Sequence, residues 1–461
     1  MEWLQHSTSG LLTLAAAGIA LLLLMIMRWK VEPFIALLII GVLTALASGR
    51  PITELVGDIQ KSNSGSLIET GFGGILGHIA VIIGMGAFLG AILEASGGAQ
   101  VLTRKLLQLF GENRAGLAMG LAGLIFGIPV FFDIGVFVLA PLVYTVARQS
   151  GRSVLFFCLP LLAGLSITHA MLPPHPGPVA AAGLLGVGLG WVILFGVICA
   201  IPAWAAALAF ASWIGKRINL QVPDELIAAE TTEDSEQNPP KLSTVVGIIA
   251  VPLLLILFGT FGSILLPKGS AAALAATFFG TPAIALTIAV LLAFWLLGYR
   301  RGMSKDEVST LANNALRPVA MLLLVVGAGA FYGKVLTVSG IGKAVQGSLA
   351  DLGLPILVAA YLISAGLRIA QGSATAAIAA SAAIIGPAIA TSGYSQPQLA
   401  LIVAAICAGS IIASHVNDGG FWIVSRYFGI SVKDTLRTWT VLETILSVVG
   451  FLVAAVLMIF V

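Results

Sequence analysis

Apolar residues run along this chain in long blocks, and the polar residues between them are few and clustered. Continuous apolar stretches at about 11–27, 33–48, 72–95, 188–214, 243–267, 279–298, 311–336 and 437–461 predict helices. Crossing the hydrocarbon layer takes roughly 20 apolar residues per helix, so there is room for about ten or more membrane segments. Four further segments are apolar but interrupted. Residues 115–147 and 355–391 are polar or Gly/Pro-punctuated at their centres and end near Pro141 and Pro387. Their lengths suit helical hairpins that enter and leave on one side. Residues 154–186 and 397–430 begin as helices and then break, at Pro173-Pro174-His175-Pro176-Gly177-Pro178 and at His415-Val416-Asn417-Asp418-Gly419-Gly420. Non-helical backbone at membrane depth is tolerated only where protein buries it or where it lines a watery cavity. The four interruptions are therefore the expected functional segments.

One piece of sequence is used twice. Gly86-Ala87-Phe88-Leu89-Gly90 lines up with Gly329-Ala330-Phe331-Tyr332-Gly333, about half a chain later. Each copy is followed by an amphipathic stretch (98–111 and 341–352), then a hairpin, then a broken helix. A duplicated membrane unit is the usual plan of a secondary transporter, with its binding site near the midplane where the repeats meet. The Gly86/Gly90 and Gly329/Gly333 pairs are expected to mark close helix packing.

Composition and charge orient this plan. The chain is 59% hydrophobic and 9% charged, against about 25% charged in a soluble domain. Placing Arg28 and Lys30 inside puts most of the 23 Lys and Arg on the same side, in keeping with the positive-inside rule. The two duplicated spans then run in opposite directions. The expected fold is an all-α polytopic membrane protein of two inverted repeats, 1–215 and 243–461. Each repeat has a re-entrant hairpin (about 115–147 and 355–391) and a broken transmembrane helix (about 154–186 and 397–430). A cytoplasmic linker at 216–242, acidic and ending on Pro239-Pro240, joins them. The N-terminus lacks the basic start of a signal peptide, so the first apolar run reads as a retained span. A net charge of +3 gives nucleic-acid binding no support. The three cysteines sit in apolar stretches at spacings that suit neither a disulfide framework nor a metal site, and no cofactor is implied. HExxH, Walker A and GxSxG motifs are absent from the sequence, so an enzyme is not expected.

An ionisable group inside a membrane costs roughly 2.5–3.5 kcal/mol on insertion scales and is a functional candidate by default. Asp133 occupies the centre of the first hairpin and suits a proton-binding carboxylate. Arg368 holds the matching place in the second; its rigid fork suits an anionic substrate, or an ion pair with Asp133. Gln371, Ser373 and Thr375 follow it with amide and hydroxyl groups, at a helix start whose free N–H groups favour anions. His169 and His175 flank the first break, and His415, Asn417 and Asp418 occupy the second. Histidines titrate near physiological pH and suit a proton relay. The expected substrate set is Arg368, Gln371, Ser373, Thr375, Asn417, Thr168 and His175. The expected proton-coupling set is Asp133, His169, His415 and Asp418.

Together these residues resemble the gluconate:proton symporter (GntP) family. The resemblance is carried by Ser166-Ile167-Thr168-His169 running on to Pro173-Pro174-His175-Pro176-Gly177-Pro178, by Leu367-Arg368-Ile369-Ala370-Gln371-Gly372-Ser373-Ala374-Thr375, and by Ser414-His415-Val416-Asn417-Asp418-Gly419-Gly420-Phe421-Trp422. Phe131-Phe132-Asp133 with Gly135, and Trp439 with Glu443, fit as well. The resemblance extends over nearly the whole chain. It implies proton-coupled import of gluconate or a related sugar acid across the bacterial inner membrane, by an elevator-like motion. Residues 1–60 and 188–300 would then form a static scaffold and a homodimer contact. Relatives carry Glu or Asp at the position of Asp133 and include D-serine carriers. D-serine or another small hydroxy acid is therefore the alternative substrate.

Overall fold

The computed structural model describes residues 2–58, 65–111, 114–220, 239–351, 354–390, 392–416 and 418–461; at a few positions, His78 and Gln371 among them, it describes the backbone alone. Most of the linker expected at 216–242, and Asn417, lie outside the described residues. The described chain is helical throughout, and the helices number as follows. The first group is α1 Glu2–His6, α2 Thr8–Met27, α3 Pro33–Ala47, α4 Ile52–Val56, α5 Leu67–Ala95 and α6 Gly98–Phe110. Next come α7 Ala115–Phe126, α8 Phe132–Ser150, α9 Val154–Met171, α10 Pro176–Leu185 and α11 Leu189–Ile214. Then follow α12 Leu242–Leu265, α13 Ala271–Gly280, α14 Pro282–Ala293, α15 Lys305–Val338 and α16 Ile341–Asp351. The last are α17 Ile356–Gln371, α18 Ala374–Ile389, α19 Gln396–Gly409, α20 Gly419–Tyr427 and α21 Val432–Met458.

Local sequence explains where these helices start and stop. Ser66, Ser304 and Ser395 each accept a bond from the third residue of the helix, while Glu69, Glu307 and Gln398 reach back to the cap. These reciprocal capping boxes satisfy orphan N–H groups at the ends of α5, α15 and α19. Between α17 and α18 the turn passes through Gly372 at φ +79°, a left-handed position that glycine occupies without steric cost. Ser373 then caps α18 by accepting from the Ala376 N–H at 3.3 Å.

Eight described helical segments are long and apolar enough to cross a membrane, and nine if α5 counts despite its 40° bend between Gly77 and Ile79. This is fewer than the room the composition allows. Several apolar helices, such as α3, α7, α17 and α18, are too short to count, and the segments flanking the hairpin turns and breaks share the remainder. The α9–α10 segment is buried on nearly every side, whereas α12 and α13 keep many apolar side chains exposed. The broken helix therefore sits at the centre, and the outer helices turn apolar faces outward as a bilayer requires.

Close backbone approach fixes the inner packing. A Cβ on Gly123 of α7 would lie 2.2 Å from the Leu161 carbonyl oxygen, and one on Gly164 of α9 would lie 2.4 Å from the Leu124 nitrogen. The helices that carry the duplicated motif, α5 and α15, pack along each other, with Gly71 and Gly327 on the seam between them, while the motif glycines meet other elements. Gly86 abuts Pro174 and Gly90 abuts the Pro129 carbonyl, where a Cβ would meet atoms at 3.0 and 2.6 Å. Gly333 meets α18 in the same manner, at the Ala383 carbonyl oxygen, 3.0 Å away.

Candidate functional site

The interruptions converge. The starts of α8, α18 and α20 come together with the end of α17, the last turns of α9 and the middle of α21 around one cavity of about 280 Å³. That is near the small end of the range for ligand pockets, roughly 300–1,000 Å³. Three helix N-termini thus point at one space. Each carries a partial positive charge of about half an electron and unsatisfied N–H groups, a ready anion site.

Arg368 is the cation of the cavity. It leaves the last turn of α17, is 5% exposed, and is held by two hydrogen bonds: it donates from one terminal nitrogen to the Gly372 carbonyl and from the other to Asp418. Asp418 caps α20, accepting from the Gly420 N–H at 2.9 Å. It also accepts from the Ser414 hydroxyl, which in turn accepts from the Trp439 indole N–H at 2.8 Å. The chain Trp439–Ser414–Asp418–Arg368 therefore ties α21, the second break and the second hairpin into one network. Trp439 lies against Phe132 at the start of α8, with ring centroids 5.4 Å apart. Arg368 pairs with Asp418 and not with Asp133; the second break brings Asp418 to the hairpin turn, and Asp133 stands exposed across the cavity.

The expected site residues divide into three groups. Asp133, His169, Arg368, Ser373, Thr375 and Asp418 line the cavity. Thr168, His175 and His415 do not. The Thr168 hydroxyl is turned back onto its own helix, donating to the Gly164 carbonyl at 2.8 Å. His175 is buried, with Nε2 2.6 Å from the Gly127 carbonyl oxygen and its ring 4.6 Å from that of His169. The His175 side chain thereby fastens the first break to the first hairpin turn. His415 is partly exposed, with Nε2 3.2 Å from the Ile369 carbonyl oxygen. Gln371's side chain and Asn417 lie outside the described residues.

Sequence reasoning overlooked Glu443 as a site residue. It lines the cavity from α21, is 1% exposed, and has Ser166 as a hydrogen-bonding neighbour. A carboxylate within an apolar span was the available signal; the surrounding run of Leu, Ile and Val obscured it. Three buried polar atoms around the cavity have no hydrogen-bond partner among the described residues: Arg368 Nε, His169 Nδ1 and Glu443 Oε1. An unsatisfied buried group costs about 1–3 kcal/mol, and a side-chain shift that brings one of these atoms into reach of a polar ligand recovers that cost. The lining offers one guanidinium, helix N–H groups, hydroxyls and carboxyls, which suits a small polyhydroxy anion.

Residues 10–461 match the GntP family permease profile. The chain is 42% identical to the inner membrane permease YgbN of Escherichia coli K12, over 97% of this chain and 98% of that one. It is 39% identical to a gluconate permease of Pseudomonas aeruginosa, over 93% of each. The fold is also similar to that of the Neisseria gonorrhoeae transporter MtrF, with a TM-score of 0.64 at 14% identity over 94% of this chain and 96% of that one. With this profile and these relatives spanning nearly its full length, the chain belongs to the GntP family of permeases and is a multi-pass membrane transporter, not an enzyme.

Proposed function

We propose that the protein is a symporter that imports gluconate or a related sugar acid, together with a proton, across the bacterial inner membrane. The observation that carries this proposal is the convergence of three helix N-termini and Arg368 on one cavity that also presents the hydroxyls of Ser166, Ser373 and Thr375. The substrate carboxylate is held by the N-termini of α18 and α20 beside Arg368, and its hydroxyls by the serine and threonine side chains. Asp133 and His169, on the cavity wall, are placed to exchange protons with water. The P. aeruginosa relative named as a gluconate permease supports this substrate class.

In this proposal residues 1–215 and 243–461 are inverted repeats, and α7–α8 and α17–α18 are their re-entrant hairpins. The hairpins and broken helices move as a unit against a scaffold that includes residues 1–60 and 188–300, which also form a homodimer contact. A monovalent anion moving with one proton carries no net charge, so membrane potential, worth about 2.3 kcal/mol per charge per 100 mV, does not drive it. The pH gradient alone does.

The test is uptake of labelled gluconate into proteoliposomes under an imposed pH gradient without sodium. Accumulation abolished by a protonophore and indifferent to excess D-serine is expected. A folded protein that accumulates D-serine and not gluconate would move the substrate to the small hydroxy acids. Uptake that continues with no pH gradient but requires sodium would remove proton coupling.

A further inference from the structure

We propose that Glu443 is the carboxyl group that takes up and releases the coupled proton, in response to the substrate's own charge. The inference rests on the proton-coupled reading above and names the residue behind it. Glu443 lies in the interior of α21, far from either end of its own helix, so neither end of that helix neutralises it where it faces the cavity. Its Oε1 is buried without a partner, while the residue lines the same cavity as Arg368.

The groups around it define its electrostatics. Arg368 and Asp418 are its charged neighbours, and they are already paired with each other. His169 and Asp133 share the cavity. The helices packed along α21 bring few ionisable groups: α11 and α19 bring only the thiols Cys199 and Cys407, α9 adds Cys158, α20 adds Arg426 and Tyr427, and α17 brings Tyr361, whose hydroxyl lies 3.0 Å from that of Ser447, one turn from Glu443. On α21 itself Lys433, Asp434 and Arg437 belong to the first two turns. No second buried cation faces Glu443 among the described residues.

With Glu443 ionised, a substrate carboxylate in this cavity would meet a second anion at short range in a low dielectric, where like charges repel strongly. A proton passing from cavity water to Glu443 Oε1 removes that repulsion and creates an O–H donor for the substrate. When the cavity opens to the other side and the anion leaves, the same O–H bond breaks and the proton returns to water. Substrate and proton then strengthen each other's binding by the same factor, as linkage requires. Asp133 is exposed, and solvent screening weakens any such response there.

Glu443→Gln and Glu443→Asp would be reconstituted beside the unmodified protein. Net uptake of labelled gluconate under one unit of pH gradient and exchange against internal unlabelled gluconate would both be measured. For one proton per substrate, one pH unit supports about tenfold accumulation. In Glu443→Gln that ratio should fall to about one, with a flattened pH profile but measurable exchange. Glu443→Asp should keep pH-driven accumulation. Full accumulation by Glu443→Gln would overturn the inference while leaving symport standing. So would loss of both activities in Glu443→Asp as well as Glu443→Gln, which would make the residue structural. Absence of pH-driven uptake by the unmodified protein would instead refute the symport reading itself.

Discussion

Arg368 can be replaced only at a cost set by its partner. Removing it in Arg368→Ala leaves Asp418 buried beside Ser414 with its countercharge gone, a loss of about 3–5 kcal/mol for a broken buried pair. A fall in melting temperature and loss of gluconate uptake are expected together. The double variant Arg368→Ala/Asp418→Ala should regain much of the stability and none of the uptake; an unchanged melting temperature in the single variant would contradict a buried pair. The individual residues Arg368, Asp418 and Asp133 were legible in the sequence, because each is an ionisable group within an apolar segment. Their partnership was not. Arg368 and Asp418 are 50 positions apart, and nothing in the local pattern of either segment says which acid reaches the guanidinium. Thr168 and His175 misled for a related reason. They share a break with His169, but helix rotation turns one hydroxyl back on its backbone and seats one ring on Gly127, while only the third side chain reaches the cavity.

At the level of elements, punctuation was the readable signal. The turn through Gly127-Ile128-Pro129-Val130-Phe131 and the turn at Gly372-Ser373 fall where glycine, proline and polar residues interrupt apolar runs. Breaks of this kind are local chemistry and need no knowledge of tertiary contacts. What the pattern did not disclose was which helices touch. The tight α7–α9 contact is made by Gly123 and Gly164, two small residues among many. Gly123→Ala drives a methyl group to 2.2 Å from the Leu161 carbonyl, and overpacking of this kind costs about 1–3 kcal/mol. Gly73→Ala in α5 meets nothing within 4 Å and should lose no stability, gaining up to about 1 kcal/mol from helix propensity. Thermal melts of the two variants in the same detergent measure the difference. Equal melts would mean that α7 can lift from α9 freely.

For the whole molecule, the distribution of Lys and Arg sets a direction that labelling can test. Cys158, Cys199 and Cys407 are all buried, so the native protein offers little background to a membrane-impermeant maleimide. Lys216 and Lys268 are both exposed; Lys216 lies just beyond the end of α11 and Lys268 just beyond the end of α12, the next long apolar helix in the chain. With positive charge inside, Lys268→Cys should react in intact cells and Lys216→Cys only after the membrane is opened. The reverse pattern would invert the whole assignment of sides. The glycine faces of α5 and α15 have a further mechanical meaning. Where Gly86, Gly90 and Gly333 meet Pro174, Pro129 and Ala383, the seam consists of backbone against backbone and short side chains. Large side chains that interdigitate must withdraw before two surfaces can shift, and each withdrawal raises a barrier. In the transport motion proposed above, a seam without teeth would let one surface glide along the other while contact is kept, and bulk added at these glycines would act as a brake on that movement.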